Sequence, residues 1–245
     1  MNDATLTDYC NTFLGFGGWK TPIWFIGIEE AGGKNLADVE NRLRAWGEHG
    51  RKSLEDAPRF YPASGNTIWH GANAKIQRTW RQLIRILLLA QGKADTESTI
   101  LDYQRNQLGR RNGDTCLMEL FPLPSPNIGI WNYNQWSALA WLQSRNSYIN
   151  EIRARRENEL RRQINRHNPK AVIFYGCDRS LLPSWSSIAG GDFKQAIPDE
   201  MILLWRANVN TVFFVTRHPA AESDQYFQRI GRFLRANYGN RFQNN

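Results

Sequence analysis

Short apolar runs alternate along this chain with amphipathic helical patterns, and nothing else in the sequence restricts the fold as strongly. Residues 24–28, 115–120, 171–176, 201–205 and 211–215 each read as a buried strand, short and apolar. Between them lie helical spacings. A short helix is expected over 36–46, and Ile76, Trp80, Leu83, Ile84, Leu87 and Leu88 fall on one face of another. A long helix over 147–167 carries Ile149, Ile152, Leu160 and Ile164 as its inner stripe. Asn168-Pro169 stops it, because the residue before proline avoids helical angles. A last helix is expected over about 222–238. Strands alternating with helices predict an α/β fold: a three-layer α/β/α sandwich with a mainly parallel central sheet of about four to five strands. No repeat or low-complexity linker divides the chain, so residues 1–245 read as one domain.

Two of these strands end in chemistry. The first runs into Glu29-Glu30-Ala31-Gly32-Gly33, the last into Arg217-His218-Pro219. Open α/β sheets bind ligands beyond the carboxyl ends of their strands, so an acidic end and a histidine-bearing end can face one cleft. A polar, aromatic loop with Phe60, Tyr61 and Trp69 follows the first of these strands, and a proline-rich loop from Phe121 to Asn127 breaks the second.

Composition narrows the partners. Net charge is +8 with a pI near 9.6, and arginine greatly outnumbers lysine, a bias that suits bidentate phosphate contacts and hence a polyanion such as DNA. Three scattered cysteines and four histidines show neither C-x-x-C nor H-E-x-x-H spacing, so no metal and no cofactor is expected. No apolar stretch approaches the roughly 20 residues of a membrane span, and the N-terminus lacks a signal peptide's basic and apolar parts. The expectation is a cytoplasmic monomer with no membrane contact.

Four motifs in order resemble the uracil-DNA glycosylase superfamily. Gly27-Ile28-Glu29 stands where the family has G-x-N or G-x-D after a buried strand, and Glu30-Ala31-Gly32-Gly33 is similar to a proline-less E-A-P-G. Glu119-Leu120-Phe121-Pro122-Leu123 is similar to its N-x-x-P-L strand end, with Glu for Asn. Gln163-Ile164 followed by Asn168-Pro169-Lys170-Ala171-Val172-Ile173-Phe174-Tyr175-Gly176 resembles its passage into the next strand, and His218-Pro219-Ala220 its H-P-S. The departures are the missing proline after the acid, Glu119, and the acids Glu222 and Asp224 in the loop that wedges into the duplex in relatives.

The resemblance implies a monofunctional DNA glycosylase that flips out a base, hydrolyses its N-glycosidic bond and leaves an abasic site, in repair or in defence against phage. Glu29, with Glu30 second, is expected to stabilise the positive charge that builds on the sugar, and His218 to donate to the leaving base. Glu119 would read the base; as an ionised carboxylate it only accepts hydrogen bonds, which favours an amino-bearing base such as a modified cytosine over uracil. Phe60, Tyr61 or Trp69 would stack on the flipped base. Arg217, Arg229, Arg232 and Arg235 would hold phosphates. The dense arginines at 153, 155, 156, 161, 162 and 166 are read as pairing within their helix with Glu151, Glu157 and Glu159. Two other classes stay open: an N-glycosidase or deoxyribosyl transferase acting on free nucleosides or nucleotides, and a non-catalytic nucleic-acid-binding module.

Overall fold

The computed structural model describes residues 1–127, 129–177, 180–196 and 203–242. The chain begins with α1 (Asp3–Thr12), β1 (Gly15–Phe16), β2 (Ile23–Ala31), α2 (Leu36–Glu48), β3 (Leu54–Glu55), α3 (Ala57–Ala63), α4 (Arg78–Ala90) and α5 (Glu97–Asn106). It continues with β4 (Thr115–Ser125), α6 (Tyr133–Trp136), α7 (Arg145–His167), β5 (Ala171–Tyr175), α8 (Leu182–Ala189), β6 (Lys194–Gln195), β7 (Leu203–Ala207), β8 (Val212–Thr216) and α9 (Asp224–Phe242). The fold is α/β, but its sheet is larger than the sequence predicts and is mixed.

Among the described residues, eight strands lie in the order β3-β1-β4-β2-β5-β8-β7-β6. The central four, β4, β2, β5 and β8, run parallel. They are flanked by antiparallel partners: β1 against β4, and β7 against both β8 and β6. Two physical facts account for the difference. Strands β1, β3 and β6 have two residues each, too few to carry a periodic signal. Strands β7 and β8 are joined only by residues 208–211, whereas a parallel crossover needs about a dozen residues or more, so β7 has to turn back as a hairpin. Of the strand expected over 201–205, Met201 and Ile202 lie outside the described residues.

Burial on both faces explains why the central strands read as unbroken apolar runs. Trp24, Phe25, Ile26, Val172, Phe174, Phe214 and Val215 are all inaccessible to solvent. Helix α4 packs along α9, and Gly231 allows the close approach: a Cβ there would stand 2.6 Å from Leu89 Cβ. Asp224, opening α9, ties the pair together by accepting from Gln82 Nε2 at 2.8 Å and pairing with Arg85 at 2.8 Å. The segment around Pro58 and Pro62, expected as a loop, forms α3 instead. Pro58 fits the first helical turn, where its missing N–H is not needed, and Pro62 lies inside the helix one residue before its end at Ala63.

Helix α7 starts at Ser144, whose hydroxyl accepts from the Ser147 N–H at 3.0 Å, and ends at Asn168 in the left-handed region (φ 48°). Its buried stripe is Tyr148, Ile152, Arg156, Leu160 and Ile164, with Ile149 only half-buried. Arg156 is the surprise. Its guanidinium donates to three main-chain carbonyls, Phe13 at 2.8 Å, Glu119 at 2.7 Å and Leu120 at 3.0 Å. The helix arginines therefore do not simply pair along the helix. Arg162 bonds Glu159, but Arg153 lies over the Phe121 ring and Arg161 reaches Ser187 on α8. No helix among the described residues is long and apolar enough to cross a membrane.

Candidate functional site

Strand β4 does not break at Phe121 as expected but continues through Pro122 and Pro124 to Ser125. Prolines have no N–H for a ladder, and there the sheet adjusts. Glu29 pairs with Phe121 and Ala31 with Ser125, so four steps on β4 match two on β2. The adjacent acids fall within this slip and separate. Glu29 meets Arg145 Nη2 at 2.5 Å, at the start of α7, with Arg145 lying over the Trp131 ring. Glu30 turns to α2 and α3, where Arg42 grips it with two bonds of 2.7 and 3.0 Å and the Tyr61 hydroxyl donates at 2.5 Å. Burial raises the Glu29 carboxyl above its ordinary value, with Arg145 opposing.

Glu30 lines a small, partly open cavity of about 30 Å³, room for a water molecule or two. Its walls include Glu119, Tyr61, Tyr175, Phe16 and Trp80; Glu29 is not among them. Glu119 sits beside Gly27 in the β2–β4 register, and its Oε1 accepts from the Tyr175 hydroxyl at 2.7 Å. Its Oε2 is buried and has no hydrogen-bond partner among the described residues. Glycine at 27 makes this possible. A Cβ there would fall 2.3 Å from both Glu119 Oε2 and the Tyr175 hydroxyl. Gly27→Ala is therefore expected to destabilise the protein by about 1–3 kcal/mol, through overpacking, and to displace Glu119. Urea unfolding checks this; an unchanged midpoint would show that the cavity yields freely.

Burial, reinforced by Glu30 and Glu29 nearby, pushes the Glu119 carboxyl up to about 8 against the opposing Tyr175 bond. This corrects the expectation of an ionised, acceptor-only side chain. At neutral pH Glu119 is mostly protonated and offers an O–H donor beside a C=O acceptor. The sign of the linkage follows. Between the ordinary value of 4.5 and about 8, the unfolded chain releases a proton that the folded chain keeps, so stability falls as pH rises through that window and levels above it. Glu119→Gln should remove this slope and exceed wild type at pH 9 by a few kcal/mol, on the order of 1–3. Unfolding series at acid and alkaline pH measure it; parallel curves for the two proteins would show Glu119 ionised throughout.

His218 follows β8 with its ring 6.1 Å from the Tyr175 ring, beside the cavity rather than in its wall. Burial lowers its pKa, so the ring is neutral at pH 7. Its Nδ1 accepts from the Ala220 N–H at 3.2 Å, which leaves the proton on Nε2 and makes Nε2 a donor. Arg217 is bound by Glu222, and Asp224 by the α4 arginines, so the two acids of this loop are matched by cations and do not stand as bare repulsive charges. Arg229, Arg232 and Arg235 are exposed on α9.

The aromatic expectations divide. Tyr61 lines the cavity and holds Glu30. Phe60 is fully buried among Phe13, Phe16 and the Arg42 guanidinium, so it belongs to the core and not to a stacking face. Trp69 packs edge-on against Trp80, which itself faces the cavity in its place. Tyr175, Arg42 and Arg145 were missed by sequence reasoning. Tyr175 carried one signal, a polar tip closing an otherwise apolar strand; the two arginines carried none, being far from the acids in sequence. Among the described residues no group of three or more His, Cys, Asp or Glu side chains is placed to hold a metal ion. Compared with models of protein families and with curated proteins, the chain matches none.

Proposed function

We propose that this protein is a DNA glycosylase that releases a modified cytosine from DNA by hydrolysing its N-glycosidic bond. The observation that carries the reading is the unpartnered Oε2 of Glu119, facing a small aromatic-walled cavity that it shares with Glu30. The cavity lies where central parallel strands end, the place at which open α/β sheets bind ligands. The resemblance of the four motifs, together with an α/β sheet whose central strands run parallel, supports the same assignment.

Pairs of carboxyls in unlike surroundings divide acid and base roles between them. Glu119, neutral, donates its O–H to a ring nitrogen acceptor while its C=O accepts from an amino group, as at N3 and N4 of cytosine. N3 of uracil already carries a hydrogen and cannot take that proton. Glu30, fixed by Arg42 and Tyr61, presents negative charge to the sugar. The C1′–N bond breaks with its electron pair leaving on the base, which takes the Glu119 proton. Water then adds to C1′, and the proton it releases passes through solvent to restore the Glu119 O–H. His218 Nε2–H supports the charge on the departing base, and Arg217, Arg229, Arg232 and Arg235 contact phosphates.

The test is a panel of duplexes holding one cytosine, modified cytosine or uracil, scored as alkali-labile abasic sites between about pH 6 and 9. Release from modified cytosine is expected, falling above about pH 8 as Glu119 ionises. No release from any base would remove the assignment.

A further inference from the structure

Beyond the cavity, an open pocket of about 410 Å³ lies beside α3 and α5. Arg59, Arg105, Arg110, Thr67 and His70 line it, with Asp56 as its acid. Asp56 spends one carboxylate oxygen on the Arg111 N–H at 3.0 Å and stands 3.8 Å from Arg110. Three guanidinium groups thus face one carboxylate. The Arg59 side chain is exposed and makes no hydrogen bond or ion pair among the described residues, and the Nε atoms of Arg105 and Arg110 are buried without partners. His70 is only 6% exposed, and neither of its ring nitrogens has a hydrogen-bond partner among the described residues. Buried polar atoms are rarely left so, since each unmet bond costs about 1–3 kcal/mol.

We propose that this pocket binds a phosphate group, with Arg59, Arg105 and Arg110 supplying the charge and His70 a neutral N–H donor. A guanidinium fork matches phosphate oxygens, and several converging on one concavity favour a dianion or a phosphodiester over a lone carboxylate. The phosphate is either free or part of a nucleic-acid strand, and the site stands whether or not the cavity cleaves a glycosidic bond. His70 is its natural reporter. Burial and the field of Arg110 hold its pKa at about 4, so an anion that offsets Arg110 should raise that value.

The experiment follows the His70 imidazole signals by NMR while the whole protein is titrated first with inorganic phosphate and then with a short single-stranded DNA. A saturable shift with phosphate is expected, together with a raised His70 pKa. Arg59→Glu, on the surface and with an unchanged melting temperature as control, should weaken it roughly tenfold. DNA that displaces the phosphate identifies the group as a phosphodiester; DNA that leaves it in place identifies a free phosphate ligand. No saturable His70 shift with phosphate, or one that Arg59→Glu leaves unchanged, overturns the proposal.

Discussion

Glu30→Gln is expected to slow base release by about 10³-fold while leaving DNA affinity near wild type. Under the proposed function the substitution removes the charge that faces the sugar, and one preorganised electrostatic contact contributes about 3–4 kcal/mol to a transition state. It also turns one oxygen that accepts from Arg42 or Tyr61 into an NH2 donor and leaves buried Arg42 short of its counter-charge, so a lower melting temperature accompanies the loss. Glu30 is preferred over Glu29, the first choice from sequence, because Glu30 lines the cavity with Glu119 while Glu29 is turned to Arg145. Glu29→Gln should reduce the rate no more than about tenfold and act mainly on stability, since it leaves Arg145 without its partner. Single-turnover rates on a cleavable duplex separate the two. Equal large losses would return both acids to the chemistry; full turnover by Glu30→Gln would remove it from the site.

Arg156→Met should cost about 3–5 kcal/mol of folding stability, among the largest effects expected of a single substitution away from the cavity. It deletes three charge-assisted bonds to buried carbonyls, each contributing about 1.5–3 kcal/mol, and methionine recovers part of that by packing. Two of those carbonyls belong to Glu119 and Leu120, so base release should fall as well, through loss of the position of β4. Arg156→Lys should recover only part of the loss, because an ammonium cannot reach three divergent acceptors as a planar fork does. Urea midpoints give the answer; a change under about 1 kcal/mol would mean that water replaces the guanidinium.

The parts of the fold that were legible in sequence are those whose signal is local. Strands β2, β5 and β8 are continuous apolar runs, and the stop of α7 is written in Asn168-Pro169. The sheet edges were not legible: a two-residue strand such as Lys194–Gln195 exists only because β7 is beside it. The hairpin at residues 208–211 could have been inferred from linker length alone. At the site, Glu29, Glu30, Glu119 and His218 mark strand ends and were found by position. Their ionisation and direction were not, because these depend on groups remote in sequence. Burial and the nearby acids raise the Glu119 carboxyl, and the separation of Glu29 from Glu30 follows from prolines on a neighbouring strand.

The size of the Glu119 cavity has a kinetic consequence. A space of about 30 Å³ accommodates water and not an aromatic ring, so under the proposed function a base would be received only by those molecules in which the walls have parted. Apparent affinity is then the intrinsic affinity multiplied by the fraction open, and every 1.4 kcal/mol of opening reduces it about tenfold. Residues that set that fraction need touch neither base nor sugar. Trp80, held on α4 by packing and not by a polar bond to the acids, is placed to be one of them. Trimming its ring should admit ligands faster and release them faster too, trading selectivity for speed without altering a single group that does chemistry.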